Sequence, residues 1–306
     1  MYEPRREPQL SRKIHAAAPE RALNSWVFRR AGVYQRAGGL GVMTSPLQGE
    51  DRRFKSAPAH HSRRRRKAMG QHFLVDENIA DRIVAAAEIT SGERILEVGP
   101  GRGVLTERLM PLGKLVAVEK DRWLAAVLRQ RFDGELQLIE GDALEVELPA
   151  ADVIVANLPY AISSPLLFRL FDVEWGRAVL MFQEEFARRL VASPGSKAYG
   201  RLSVMAQHHV ACRKLFRVSR TSFLPQPRVH SLVVRLERRA PDYEVRDFTI
   251  FERVVATLFQ HRRKTVRNAL RLEFPDAAIE QLPHLQERGE VLTPAQMAGL
   301  ADLLSG

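Results

Sequence analysis

Between residues 94 and 182 the chain repeats one pattern, a short and nearly continuous apolar run followed by a turn and then by a segment of helical character. The apolar runs are Arg94–Val98, Leu115–Glu119, Leu136–Glu140, Asp152–Ala156 and Ala178–Phe182. Helices are predicted through Leu105, Leu109 and Met110, and over Asp121 to Arg131 with Asp121 as the cap. Strands that are apolar along their whole length are buried on both faces, so the alternation predicts a parallel α/β sheet covered by helices on both sides. The pattern then changes. Lys214–Ser219 and Ser231–Glu237 read as a closing pair of strands around a proline-bearing loop, and from about Phe248 the chain reads as helical. No internal repeat is visible.

Residues 1–68 carry no sustained period and end in Arg63-Arg-Arg-Arg-Lys67. They are expected to be a disordered basic extension. An RNA-binding arm, a transit peptide and a start assigned upstream of Met69 compete as explanations; the five acidic residues count against a transit peptide. The expected division is thus 1–68 as extension, 69–240 as an α/β domain, and 241–306 as a small helical domain after the Pro241-Asp242 linker.

Charge alters this picture only when divided along the chain. The net +11 is held entirely by residues 1–68, with 16 Lys+Arg against 5 Asp+Glu. Of the remainder, residues 69–175 carry 10 basic and 18 acidic groups, and residues 176–306 carry 21 and 13. A basic C-terminal half suits a polyanionic partner such as nucleic acid. The single cysteine, Cys212, excludes an intrachain disulfide and a cysteine-ligated zinc site, so no metal is expected and a reducing, cytoplasmic setting is. No apolar run reaches the roughly 20 residues that a membrane-spanning helix requires.

The chemistry-bearing residues fall at strand ends. The turn Glu97-Val-Gly99-Pro-Gly101-Arg-Gly103 spaces its glycines two and two, where a dinucleotide fingerprint spaces them two and three. Such a turn lets backbone and helix amides approach a ligand closely. Glu119, ending the second strand, is placed to accept two ribose hydroxyls, and Asp142 after the third to read an adenine amino group. Together they favour an adenosyl cofactor without a pyrophosphate, which S-adenosylmethionine satisfies.

Asn157-Leu-Pro-Tyr160 ends the fourth strand. The N6 amine of adenine is a poor nucleophile because its lone pair is delocalised into the ring. An Asn157 amide oxygen and the carbonyl of Leu158 or Pro159 can accept both N6 hydrogens and turn that lone pair outward. Pro159 stiffens the segment and removes a competing donor. Tyr160 offers a face on which an extruded base can stack. His208, His209 and His261 read as packing or surface residues.

Six motifs in order carry a family resemblance: Gly70-Gln-His-Phe-Leu74, Glu97 to Gly103, Gly141-Asp-Ala-Leu144, Asn157 to Tyr160, Phe223-Leu-Pro-Gln-Pro-Arg-Val-His-Ser231 and Arg263-Lys-Thr-Val-Arg-Asn-Ala-Leu270. Over residues 69–306 the chain resembles the KsgA/RsmA-type ribosomal RNA adenine dimethyltransferases, and three further stretches resemble the archaeal branch. The resemblance implies a Rossmann-like seven-strand S-adenosylmethionine-dependent methyltransferase sheet and a small C-terminal helical RNA-binding domain. It implies N6,N6-dimethylation of two adjacent adenosines in the 3′-terminal hairpin of small-subunit (16S) rRNA, by a monomer acting on an assembling 30S-type particle. Carried over by position, His72, Leu74, Gly99, Glu119, Asp142 and Asn157 contact the cofactor and Gln71 lies beside it; the family often has Asn where His72 stands. Phe223 would stack on the target base opposite Tyr160. Arg263, Lys264, Arg267 and Arg271 would meet phosphates, the last three sharing a helical face by spacing. Three rivals are weighed. Macrolide-resistance methyltransferases share the core but not the Arg263–Leu270 motif, DNA adenine methyltransferases commonly carry two prolines before the aromatic residue, and a nonenzymatic assembly factor has no need of Asn157, Pro159 and Tyr160. An additional checkpoint role in assembly stays open.

Overall fold

In the computed structural model, residues 72–305 are described; the expectations for residues 1–68 and for Gln71 lie outside them. Each apolar run predicted as a strand forms one. The strands are β1 (Phe73–Leu74), β2 (Arg94–Val98), β3 (Lys114–Glu119), β4 (Gln137–Glu140), β5 (Ala151–Asn157), β6 (Trp175–Gln183), β7 (Val210–Val218), β8 (Phe223–Leu224) and β9 (Ser231–Arg238). Seven make one sheet in the order β4-β3-β2-β5-β6-β9-β7, while β1 and β8 pair as a separate antiparallel ribbon. The strands from β4 to β6 run parallel; β9 is antiparallel to both β6 and β7.

Side chains along each central strand divide between two apolar layers. Leu96, Val98, Ile154, Ala156, Leu180 and Phe182 enter one, whereas Ile95, Val153, Val155, Val179 and Met181 enter the other. This is the period-2 alternation of a strand with no polar face, the reason the runs read as continuously apolar. Each such large side chain, 2% exposed or less, contributes roughly 1.5–3 kcal/mol by burial.

The helices are α1 (Glu77–Ala86), α2 (Thr106–Leu109), α3 (Arg122–Arg131), α4 (Ser163–Phe171), α5 (Glu184–Leu190), α6 (Arg201–His209), α7 (Phe248–Gln260), α8 (Val266–Glu273) and α9 (Pro294–Leu304). Asp121 caps α3 as expected, accepting from the amides of Trp123 at 2.9 Å and Leu124 at 3.2 Å. Asp247 caps α7 in the same way, and Thr293 with Gln296 forms a capping box on α9. A third apolar cluster joins α7, α8 and α9, and draws in Tyr199, Val204 and Met205 from α6 and the loop before it.

Two details differ from the sequence reading. β7 starts at Val210 rather than Lys214, because α6 passes at His209 directly into extended backbone with no glycine or proline to mark the change. The β1–β8 ribbon is two residues long on each side, too short for any period to reveal. His208 and His209 are packing residues. His209 stacks on Phe171 with ring centres 4.5 Å apart, and burial pushes its imidazole down to about 4. His208 sits among Tyr243, Phe248 and Phe251.

Candidate active site

The carboxyl ends of β2, β3, β4 and β5 face one edge of the sheet, and four sequence motifs converge there. Beyond β2, Gly99, Gly101 and Gly103 take φ values of 72°, 60° and 82°, a region where only glycine is unstrained. A Cβ on Gly101 would lie 3.1 Å from the ring of Phe73, and one on Gly103 would lie 3.0 Å from Leu128. These two glycines therefore let the turn press against β1 and α3. At Gly99 the nearest atom is Pro159 Cδ at 3.9 Å, so this glycine borders open space shared with the Asn157–Tyr160 motif.

Glu119 ends β3 and is 4% exposed. Its Oε2 accepts the Gly101 amide at 3.0 Å and its Oε1 the Asp121 amide at 2.8 Å. The two bonds fix the carboxylate plane, yet each oxygen keeps capacity for a further donor. Burial pushes its carboxyl up, against the opposing pull of those amides.

Glu97 was missed in reading the sequence for site residues. It is 1% exposed, receives the Thr106 hydroxyl at 2.7 Å, and borders the same cleft. Burial, aided by the neighbouring Glu119 charge and opposed by the Thr106 bond, pushes it up to about 8. The available signal was a lone carboxylate inside the apolar run Ile95-Leu96-Glu97-Val98, directly before a glycine turn.

Asn157 ends β5, in register with Met181 of β6. Its Nδ2 donates to the His72 carbonyl at 3.4 Å, which leaves Oδ1 as the free acceptor. The Pro159 carbonyl already takes the Ile162 amide at 3.1 Å and the Ser163 hydroxyl at 3.4 Å. Of the two carbonyls considered from sequence, Leu158 is therefore the one with capacity to spare. The Tyr160 hydroxyl pairs with Ser231 Oγ at 2.7 Å, and its ring lies tilted against His72 at 5.7 Å. His72 Nδ1 donates to the Pro225 carbonyl at 2.7 Å, which consumes the donor on that nitrogen.

One cleft thus brings together His72, Leu74, Gly99, Glu119, Asn157, Pro159 and Tyr160. Asp142 does not border it. One of its oxygens accepts the Leu144 amide at 3.0 Å and the other pairs with Lys120, although the adjoining Gly141 amide bonds the Glu119 carbonyl. Phe223 does not border it either. It is 3% exposed and belongs to the apolar layer that also takes in Leu74. To stack on a target base as expected, Phe223 would have to leave this layer. Around α8, Lys264 precedes the helix, which begins at Val266 with Thr265 as its cap, and so does not share a helical face with Arg267 and Arg271. Those two arginines both pair with Glu280, while Arg263 and Lys264 are exposed.

A glycine turn, an anchored carboxylate and an Asn-Leu-Pro-Tyr segment on one sheet edge narrow the possibilities, and comparison with known proteins decides among them. The model of the ribosomal RNA adenine dimethylase family matches residues 62–303. The chain belongs to this family. A probable ribosomal RNA small subunit methyltransferase A of Haloquadratum walsbyi is 44% identical over 278 residues, covering 84% of this chain and 92% of that protein. One from Methanosarcina mazei is 42% identical over 246 residues, covering 76% and 91%. Among solved structures, the dimethyladenosine transferase of Plasmodium falciparum is similar with a TM-score of 0.66 and 30% identity, over 75% of this chain and 96% of that one. The 23S rRNA methyltransferase ErmE is similar with a TM-score of 0.61 and 26% identity, over 76% and 100%. This adenine dimethylase has the seven-strand methyltransferase sheet of its relatives, and the archaeal sources of the two curated proteins agree with the branch its motifs resemble. No helix among its described residues is long and apolar enough to cross a membrane.

Proposed function

We propose that this dimethylase transfers methyl groups from S-adenosylmethionine to N6 of two adjacent adenosines in the 3′-terminal hairpin of small-subunit rRNA. The observation that carries the reading is the shared wall of the cleft: the glycine that borders open space, Gly99, faces the segment that holds the free acceptors of Asn157 and Leu158.

The residues present fit an adenosyl cofactor. Any side chain at Gly99 would be strained by its φ of 72° and would occupy the gap toward Pro159. Glu119 keeps two acceptor positions in a fixed plane, suited to two ribose hydroxyls. Gly99, Leu74, His72 and Glu119 would hold the cofactor, and Asp142 would read its adenine once its pairing with Lys120 opens. Bound there, S-adenosylmethionine supplies an electrophilic methyl group.

The chain's own part is orientation. The Asn157 Oδ1 and the Leu158 carbonyl accept the two N6 hydrogens and turn the nitrogen lone pair toward the cofactor side of the cleft. Fixed dipoles of this kind stabilise developing charge without reorganising during reaction. Tyr160, locked through Ser231, gives the extruded base a stacking surface worth roughly 1–3 kcal/mol, which offsets the few kcal/mol of unstacking. No strong general base is needed, since the methylated amine cation loses its proton to water. Residues 241–306 would act as an RNA-contacting domain through Arg263, Lys264, Arg267 and Arg271. The partner is the rRNA of an assembling 30S-type particle, met in the cytoplasm by a monomer. The small-subunit target rests on 42–44% identity to proteins named for it, against 26% to ErmE.

The test is nucleoside mass spectrometry of immature small-subunit particles and, in a parallel reaction, of large-subunit RNA, each incubated with the protein and S-adenosylmethionine. N6,N6-dimethyladenosine at two neighbouring positions near the 3′ end is expected. Methylation confined to large-subunit RNA, or its absence from both, would refute the proposal.

A further inference from the structure

A second cleft opens where α5 meets the loop at 191–200, bordered by Arg188, Arg189, Lys197 and Arg262 with Glu185 as its one carboxylate. Arg262 is committed inward. Its guanidinium pairs with Glu290 and donates to the carbonyls of Ser196 at 3.3 Å and Lys197 at 3.2 Å. The same loop is tied down at other points. The Gly195 amide donates to the Glu290 carbonyl at 2.7 Å, and the fully buried Tyr199 hydroxyl donates to the Leu292 carbonyl at 2.9 Å. What the fastened loop and α5 turn outward are Lys197 and Arg189, both exposed and with no carboxylate within salt-bridge distance among the described residues.

A short run of contacts links the active site to α5, which borders this cleft. The Tyr160 hydroxyl meets Ser231, Ser231 pairs in register with Gln183, and the next residue, Glu184, begins α5. Glu184 also fixes Arg188 at 2.6 Å and Arg217 at 2.9 Å, so these two cations are held in place.

We propose that this cleft binds the phosphodiester backbone of the RNA strand flanking the target adenosines, with Arg189 and Lys197 as direct phosphate contacts. Arg262 is a positioning residue that shapes the loop presenting Lys197. The proposal rests on the reading that the substrate is RNA. It commits to backbone rather than bases because the cleft's one aromatic ring, Tyr199, is buried and offers no stacking face, while its exposed groups are mainly cations. Contacts of this kind position a strand without reading its sequence.

The experiment compares the wild type with Arg189→Gln/Lys197→Gln and with Arg262→Ala, measuring affinity for the small-subunit hairpin RNA at roughly 50 to 300 mM salt. The double variant should bind at least about tenfold more weakly at the low end. Its plot of log affinity against log salt should be shallower by about 0.7–0.9 per lost contact. Calorimetric S-adenosylmethionine binding and melting temperature should be unchanged. Arg262→Ala should weaken RNA binding and also speed amide exchange at Gly195, a signal that loss of a mere phosphate contact would not produce. If the wild type binds the hairpin and the double variant matches its affinity and slope, the cleft assignment is overturned while the RNA substrate stands. If the wild type binds no RNA at all, the substrate reading fails with it.

Discussion

The carboxyl edge of the parallel strands and the basic segment around α8 treat polar groups in opposite ways. At the edge, Glu119, Asn157 and Tyr160 are each held by backbone or by one fixed partner, and the carboxylates are almost wholly buried. Around α8, Arg263 and Lys264 stand exposed, and Arg267 and Arg271 share the single carboxylate of Glu280. The first arrangement suits chemistry, where a misplaced acceptor costs the whole effect. The second suits a flexible polyanion, where each contact is weak, screened by salt and replaceable. Substitutions should therefore act sharply in the one and by degrees in the other.

The largest effect is expected at Asn157. Asn157→Ala removes the side-chain acceptor and should lower the methylation rate on the order of 10²- to 10³-fold. RNA binding should be nearly unchanged, because contacts to phosphates supply most of the affinity and one base contact little of it. A radiolabelled methyl-transfer assay beside a binding titration checks both halves, and near-normal turnover would contradict the orienting role. Glu119→Ala comes next. Two hydrogen bonds to a charged group are lost, and at about 1.5 kcal/mol each, the low end for such bonds, cofactor affinity should fall on the order of 10²-fold by calorimetry. Unchanged affinity would remove Glu119 from the cofactor's ribose.

The two regions also differed in how far the sequence disclosed them. The central strands and the Asp121 cap were legible because one local pattern determines each, and the three glycines stand where backbone geometry permits nothing else. Asn157, Pro159 and Tyr160 were legible for the same reason, lying within four residues at a strand end. Phe223 was not, because whether a loop aromatic faces a cleft or a core depends on the β1–β8 pairing, which joins residues about 150 positions apart. The shared helical face assigned to Lys264, Arg267 and Arg271 failed at its first member, since Thr265 caps the helix and puts Lys264 before it. Glu97 was visible but unread: a charged residue in an apolar strand signals a site only when its burial is known.

Glu97 supplies a third prediction, smaller and of opposite character. Its carboxyl is pushed up to about 8 in the fold, while the unfolded chain ionises near 4.5. Between those values the unfolded state has released a proton that the folded state retains, so stability should fall as pH rises through that window and level off above 8. Glu97→Gln keeps a neutral group of the same shape and should flatten the profile. At pH 8 the variant should be more stable than the wild type by on the order of 2 kcal/mol in denaturant unfolding. Parallel curves for the two proteins from pH 5 to about 8.5 would mean that Glu97 ionises normally.

The smallest effect is expected where charge is shared. Glu280 faces Arg267 at 2.9 Å and also pairs with Arg271, its side chain 51% exposed and theirs 35% and 54%. Exposed pairs of this kind contribute only about 0.2–1 kcal/mol. Glu280→Ala frees both guanidiniums toward solvent, and RNA affinity should rise about two- to fivefold at low salt and return toward the wild-type value as salt increases. The same variant should lose a little thermal stability, since Arg267 carries a buried Nε without a hydrogen-bond partner and depends on Glu280 for compensation. A fall in affinity would show that Glu280 presents the arginines to RNA instead of competing for them, and α8 would then belong with the rigid sheet edge rather than in contrast to it.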